Sequence, residues 1–155
     1  KRPDLLLEWH FIGPIQSNKT RAVAEHFDWV HSVDRLKIAQ RLSEQRPAHL
    51  PALNVLLQIN IDGEASKSGF APEQALAQAQ WIAALPQLRL RGLMCIPEKH
   101  STPAFIKMQA MLQALCHQGL TLDTLSMGMS ADFASAVAHG ATHVRLGTAI
   151  FGART

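Results

Sequence analysis

The chain has 155 residues, of which 47% are hydrophobic and 17% are charged, and its formal net charge is +3. This composition is typical of a single globular domain, here residues 1–155, that buries a core of its own. It excludes two classes of protein, since no apolar run approaches the roughly 20 residues of a membrane-spanning helix and the 15 Lys and Arg residues are too scattered for a nucleic-acid-binding face.

Strand-like segments recur along the chain, and helix-like segments lie between them. The strand-like runs are rich in apolar and β-branched residues and end at Gly, Pro or polar residues. Segment 53–61 is apolar on both faces, which is typical of a strand covered on both sides in a parallel sheet. The six predicted strands cover residues 8–13, 28–33, 53–61, 88–96, 122–130 and 142–152.

The predicted helices between them carry apolar residues at helical spacing and are bounded by capping residues, Pro or Gly. They cover residues 17–27, 35–45, 73–85, 102–119 and 131–140. This alternation predicts an α/β fold with a parallel sheet and helical crossovers. An open doubly wound sheet and a (β/α)8 barrel both satisfy the pattern, although a barrel needs eight units and the chain has six. The spacing alone leaves both architectures open.

Polar residues mark the ends of the last two predicted strands. Ligands meet the carboxyl ends of parallel strands, and barrels often hold a phosphate at the last two. Ser130 directly precedes a predicted helix, whose first backbone N–H groups attract anions. Gly147 and Thr148 follow Arg145 on the last strand, and Gly147 has no Cβ to keep a ligand from its backbone. Together these residues predict a phosphate site.

Each of these residues also has a purely structural interpretation. Ser130 is a favoured helix N-cap, and a glycine such as Gly147 often marks a strand bulge. Thr148 is a good strand former, and Arg145 is compatible with a solvated strand position. The phosphate site therefore rests on the convergence of these residues at neighbouring strand ends.

The histidines and cysteines show no metal-binding pattern. The eight histidines lack metal-ligand spacing, so we expect no bound metal. His10, between Trp9 and Phe11, is predicted to lie inside the core or the barrel. Cys95 and Cys116 lie in apolar segments and are interpreted as free thiols in a reducing, cytoplasmic setting.

Five stretches of the chain, in order, closely resemble the pyridoxal phosphate homeostasis proteins. They read WHFIGPIQSNK, NVLLQINIDGEASKSGF, LRLRGLMCIP, LSMGMSADF and VRLGTAIFGAR. The resemblance covers essentially the whole chain and implies a (β/α)8 barrel of the TIM type, similar to the N-terminal domain of alanine racemases. It also implies that the protein binds pyridoxal 5′-phosphate (PLP) and takes part in vitamin B6 and amino-acid homeostasis, without established catalysis.

The same resemblance assigns residues to the cofactor. Ser130, Gly147 and Thr148 match positions that contact its phosphate. Arg145 matches an arginine that faces the pyridine nitrogen in related racemases. Lys67 matches a basic residue near the phenolic oxygen.

One family feature has no match in this chain. The family's Schiff-base lysine lies in a Val-Ser-Lys-Thr-like strand, and we expect that strand upstream of Lys1. The resemblance therefore implies a truncated barrel of about six βα units with two open edges, which invite pairing with other chains. We expect this chain to self-associate, and full-length family members to be monomers. The expected partner is the small-molecule cofactor, with no nucleic acid and no membrane.

Three alternatives remain beside this function. A PLP-dependent racemase needs a catalytic tyrosine, by the same resemblance, and the chain contains no tyrosine. A phosphosugar-binding barrel enzyme would share the phosphate site, and its acid and base would come from Asp62, Glu64 or Asp132. A regulatory protein that acts through protein partners is the third.

Overall fold

The structure, a computed structural model, describes residues 4–98 and 101–155. Its strands form one parallel sheet whose spatial order follows the chain order without reversal. A doubly wound sheet reverses direction at a switch point, so the observed order is that of a barrel. The strands are β1 (His10–Phe11), β2 (Trp29–Val33), β3 (Leu53–Gln58), β4 (Leu88–Met94), β5 (Thr124–Met129) and β6 (His143–Arg145).

Five helices lie between successive strands, as the alternation predicts, and a short sixth helix follows the last strand. A 3-10 turn precedes each of two helices, at Ser17–Lys19 and Pro72–Gln74. In the second case Pro72 opens the turn, because its fixed φ suits a first helical position. The helices are α1 (Thr20–His26), α2 (Leu36–Gln45), α3 (Ala75–Ala83), α4 (Thr102–His117), α5 (Phe133–Ala138) and α6 (Thr148–Phe151).

The predicted last strand, 142–152, is wrong beyond Arg145. The neighbouring strand β5 ends at Met129, which pairs with Arg145, so the following residues find no ladder partner there. They instead form the helical turn α6, in which the carbonyl of Gly147 accepts hydrogen bonds from the N–H groups of Ile150 and Phe151.

Two groups of buried apolar side chains cover the two faces of the sheet. The larger group packs between the sheet and the helices. The smaller group lies on the other face and contains Trp29, Leu56 and Met94. Strand β2 is buried along its whole length, as expected for a parallel strand covered on both faces.

The sheet curls so that side chains of its two edge strands meet. The rings of His10 on β1 and His143 on β6 lie 5.7 Å apart, and the ring of Trp29 on β2 is 5.3 Å from His10 and 5.2 Å from His143. Contact between the first and last strands across this concave interior requires barrel-like curvature. The prediction that His10 is an interior histidine is confirmed.

The open edges predict self-association. Within the described residues, β1 and β6 each pair on one side only. Apolar side chains flank them, with Leu6 at 107%, Ile150 at 65% and Phe151 at 85% exposure. Sedimentation velocity is expected to show concentration-dependent oligomers.

Charged substitutions test whether association occurs through the open edge or through another part of the surface. The double change Ile150→Lys and Phe151→Lys is expected to raise the dissociation constant of the oligomer about tenfold or more, since burial of two large apolar side chains is lost. Ile106→Lys on α4, where Ile106 is also exposed, should leave association unchanged. A monomer at all concentrations would contradict the expectation.

Candidate functional site

The carboxyl ends of β5 and β6 enclose a cleft of about 670 Å³. The turn after β5 and the loop after β6 meet there, because the backbone N–H of Ala149 donates to Ser130 Oγ at 3.1 Å. The sequence prediction that these two strand ends lie together is confirmed. We call this space the β5–β6 cleft. Its lining includes Ser130, Arg145, Gly147, Thr148 and Arg154, together with Met129, Ala131, Phe151, Gly152 and Ala153.

Ser130 is not the N-cap of the next helix. Helix α5 begins at Phe133, and Asp132 occupies its cap position. The Asp132 carboxylate accepts hydrogen bonds from the N–H of Met129 at 2.7 Å and from the hydroxyl of Ser101 at 2.6 Å. The structural interpretation of Ser130 as a helix cap is therefore wrong. Its oxygen instead ties the two loops of the cleft together.

The cleft presents hydrogen-bond donors that no protein group uses. In residues 4–98 and 101–155, the N–H groups of Gly147 and Thr148 and the hydroxyls of Ser130 and Thr148 donate to no protein acceptor. A Cβ added at Gly147 would meet open space, so a ligand can approach its backbone. Among the described residues, two arginines and no carboxylate line the cleft. This arrangement suits an anion that accepts several hydrogen bonds, such as a phosphate.

Arg145 forms the inner wall of the cleft. Its guanidinium donates to Ser126 Oγ and to the carbonyl oxygen of Cys95, both at 2.8 Å. Burial lowers the pKa of Arg145, and the nearby Cys95 and Asp132 oppose that effect. An arginine nevertheless stays charged in a protein. No carboxylate of the described residues lies within ion-pair distance, so the cleft has a fixed positive charge at its base.

Lys67 lies apart from the other four predicted site residues. Its ammonium nitrogen is 3.6 Å from Asp62, 3.5 Å from Glu64 and 3.8 Å from Glu98. Hydrogen bonding to Glu64, followed by the charge of Glu64, raises the pKa of Glu98. Lys67 lines a different pocket, at the ends of β1, β3 and β4. Its assignment to the cofactor remains a prediction.

Sequence reasoning missed the polar groups behind Arg145. His31 and Ser126 are buried in the middle of β2 and β5 and join Arg145 in one hydrogen-bonded chain. A signal existed, since each is a polar residue within an apolar strand. Burial also raises the pKa of the Cys95 thiol to about 12, which makes it a structural thiol, as its apolar segment predicts.

Two classes of site are absent from the part of the chain that the structure describes. No three histidine, cysteine or acidic side chains converge in a way that would hold a metal ion. Within the same residues, no helix combines the length and the apolar character needed to cross a membrane.

Comparison with known proteins places this chain among PLP-related proteins. The alanine racemase N-terminal domain family matches residues 5–155. The pyridoxal phosphate homeostasis protein of Pseudomonas aeruginosa is 64% identical over 156 residues, which cover 97% of this chain and 66% of that protein. The protein of the same name from Vibrio cholerae is 57% identical, over 98% of this chain and 66% of its own length. The chain thus spans about 66% of the length of these curated relatives.

Solved structures share the fold. PipY of Synechococcus elongatus without PLP superposes with a TM-score of 0.88 at 37% identity, over 97% of this chain and 74% of that one. PipY with PLP bound gives 0.84 at 36% identity, over 94% and 71%. An alanine racemase of Clostridium difficile gives 0.77 at 16% identity, over 97% and 41%. The predicted incomplete barrel of the alanine racemase type is confirmed.

Proposed function

This chain belongs to the alanine racemase N-terminal domain family and, within it, to the pyridoxal phosphate homeostasis proteins, and from that premise we propose that it binds PLP in the β5–β6 cleft. The observation that carries the proposal is the cleft's chemistry, which in the part of the chain that the structure describes comprises donors without protein acceptors, two arginines and no carboxylate. The relative PipY, solved with PLP bound, supports the choice of ligand.

The residues divide into two groups by what they offer a cofactor. The N–H groups of Gly147 and Thr148 and the hydroxyls of Ser130 and Thr148 would hold the phosphate, and each hydrogen bond to a charged group contributes about 1.5–3 kcal/mol. Arg145 would present its positive charge to the pyridine ring. Bound PLP supplies an aldehyde and an electron-withdrawing ring, whereas this chain's residues bind and orient it. Lys67 stays the proposed contact of the phenolic oxygen.

We propose binding and homeostasis rather than catalysis as the role of these residues. Asp132, one of three candidate acids or bases, accepts two hydrogen bonds that hold the β5–α5 turn. Asp62 and Glu64 surround Lys67. The free thiols support the proposed cytoplasmic setting.

Removing two hydroxyls from the cleft tests the proposal. The double change Ser130→Ala and Thr148→Val is expected to weaken PLP binding about a hundredfold, because two hydrogen bonds to a charged phosphate are lost. Binding of pyridoxal, which has no phosphate, should change little. Equilibrium titration followed by absorbance measures both ligands.

A matched control removes two hydroxyls that lie outside the cleft. The hydroxyls of Thr102 and Ser135 pair with each other at 2.7 Å outside the cleft, so Thr102→Val with Ser135→Ala should leave PLP affinity unchanged. If the cleft double variant bound PLP as tightly as the unmodified protein, or lost PLP and pyridoxal equally, the cleft would not be the phosphate site.

A further inference from the structure

A chain of hydrogen bonds crosses the concave interior of the sheet and ends at Arg145. His10 Nδ1 lies 2.8 Å from His31 Nε2, and His31 Nδ1 lies 2.7 Å from Ser126 Oγ. Ser126 Oγ in turn accepts from the Arg145 guanidinium at 2.8 Å. At the other end, His10 Nε2 is 3.3 Å from a carboxylate oxygen of Glu8. The chain thus connects β1, β2, β5 and β6.

The donors and acceptors of this chain allow one direction when both histidines are neutral. The Glu8 carboxylate only accepts, so a neutral His10 carries its hydrogen on Nε2 and leaves Nδ1 as an acceptor. His31 then carries its hydrogen on Nε2 and donates to His10 Nδ1. His31 Nδ1 is then bare and accepts from the Ser126 hydroxyl, whose oxygen accepts from Arg145. The hydrogen-bonded chain is therefore polarised from a half-buried cation at one end to a carboxylate at the other.

The inner half of this hydrogen-bonded chain is buried, so its polar groups depend on partners within the protein. Ser126 is 0% and His31 is 2% exposed, so neither can exchange its partner for water. The second guanidinium contact of Arg145, to the carbonyl of Cys95, comes from the end of β4. Two acceptors on two adjacent strands thus fix the plane of the guanidinium, and His31 fixes the Ser126 hydroxyl that supplies one of them.

We propose that Ser126 and His31 are positioning residues that hold the Arg145 guanidinium at the base of the β5–β6 cleft. Neither side chain lines the cleft, so both act on a ligand only through Arg145. The consequence for PLP rests on the proposed function, whereas the positioning itself belongs to the protein without a ligand. The two are tested by separate measurements.

Nuclear magnetic resonance of the protein without PLP tests the positioning. Long-range ¹H–¹⁵N spectra should give His31 Nδ1 the shift of an unprotonated nitrogen and Nε2 that of a protonated one. The Arg145 side-chain N–H signals should be protected from exchange with water. Ser126→Ala should remove that protection and mix the His31 tautomers, and Ser126→Thr should retain both features.

The control is another buried serine. Ser43 donates to the carbonyl of Pro86 on the outer side of the sheet, and Ser43→Ala should leave the His31 and Arg145 signals unchanged. Unchanged Arg145 protection in a folded Ser126→Ala protein would overturn the proposal, and so would loss of it in Ser43→Ala.

A double-mutant cycle tests the consequence for the ligand. Ser126→Ala is expected to weaken PLP binding about tenfold, through loss of a hydrogen bond to a charged group. In an Arg145→Leu background, Ser126→Ala should weaken PLP binding by less than about twofold, because the arginine that Ser126 positions is gone. Additive effects would overturn the proposal, since a merely structural role predicts them. If the unmodified protein bound no PLP, the proposed function would fail, and the resonance measurement would still decide the positioning.

Discussion

Between pH 7 and pH 5, the protein is expected to lose about 2 kcal/mol of folding free energy through His31 alone. Burial, followed by the neighbouring charges of His10, His143 and Arg145, lowers the pKa of His31 from 6.5 to about 3. Below pH 6.5 the unfolded chain takes up a proton at this histidine, and the folded protein does not until about pH 3. The stability from the neutral His31 is therefore complete above pH 6.5 and falls as the pH drops toward 3.

Urea denaturation at several pH values, with and without His31→Gln, measures this loss. Near pH 5 the free energy of unfolding should fall about 1.3 kcal/mol per pH unit more steeply in the unmodified protein, the value for one extra proton bound by the unfolded state. The comparison concerns slopes, because the substitution also changes absolute stability. Burial also lowers the pKa of His143, which adds a loss of the same sign to both proteins. Equal slopes in the two proteins would contradict the expectation.

The acid sensitivity and the positioning of Arg145 have the same physical origin. A charged His31 would carry hydrogen on Nδ1 and could not accept from Ser126. The Ser126 oxygen would then accept from both His31 and Arg145, and its own hydrogen would lose its acceptor in a buried position. The conditions that keep His31 neutral thus also keep the Ser126 hydroxyl, which holds Arg145, fully hydrogen-bonded.

The order of strands and helices was predictable because it depends on local patterns. Strand β3 lies in an apolar run bounded by polar and Pro residues, and helix α4 begins at Thr102-Pro103, a common first helical turn. The choice between a barrel and a doubly wound sheet could not be predicted from local patterns. It depends on strand order, and the curl is visible in the contact between His10 and His143, residues 133 positions apart.

The candidate site was predictable in part for the same reason. Ser130 and Gly147 follow the ends of adjacent strands, so their proximity follows from the fold. The cap of helix α5 did not follow, because Ser130 and Asp132 are both favoured cap residues. Tertiary partners decided between them, since Ala149 contacts Ser130 and Ser101 contacts Asp132.

The inner wall of the site depends on contacts that no local pattern specifies. His31 and Ser126 are 95 positions apart in sequence and meet only because β2 and β5 face each other across the curled sheet. Considered by itself in the sequence, Arg145 is compatible with a solvated strand position. Its half-buried position is fixed by acceptors on two other strands, Cys95 at the end of β4 and Ser126 on β5.

Gly92→Ala is expected to destabilise the protein by about 3 kcal/mol or more, through overpacking between two central strands. Gly92 on β4 pairs with Thr124 on β5. A Cβ on Gly92 would overlap the backbone carbonyl of Thr124, and backbone cannot move aside as a flexible side chain can. The φ of Gly92 lies outside the left-handed region, so the cost comes from contact and not from backbone strain. The two strands would have to separate.

Gly147→Ala is the matched control for stability. A Cβ there meets open space and the φ is −113°, so the change should alter the free energy of unfolding by less than about 1 kcal/mol. Chemical denaturation of both variants measures the difference, and a Gly92→Ala protein within 1 kcal/mol of the unmodified one would contradict the close approach of the strands.

Gly92→Ala should also disturb the candidate site. Two positions beyond Gly92 and Thr124, the strands carry Met94 and Ser126, and the carbonyl of Cys95 follows directly. Ser126 and Cys95 supply the two acceptors that hold Arg145, so strands forced apart at Gly92 would spread those acceptors. Any folded Gly92→Ala protein should therefore lose the exchange protection of the Arg145 side chain, while Gly147→Ala should retain it. Full protection in Gly92→Ala would show that the β4–β5 spacing does not set the position of Arg145.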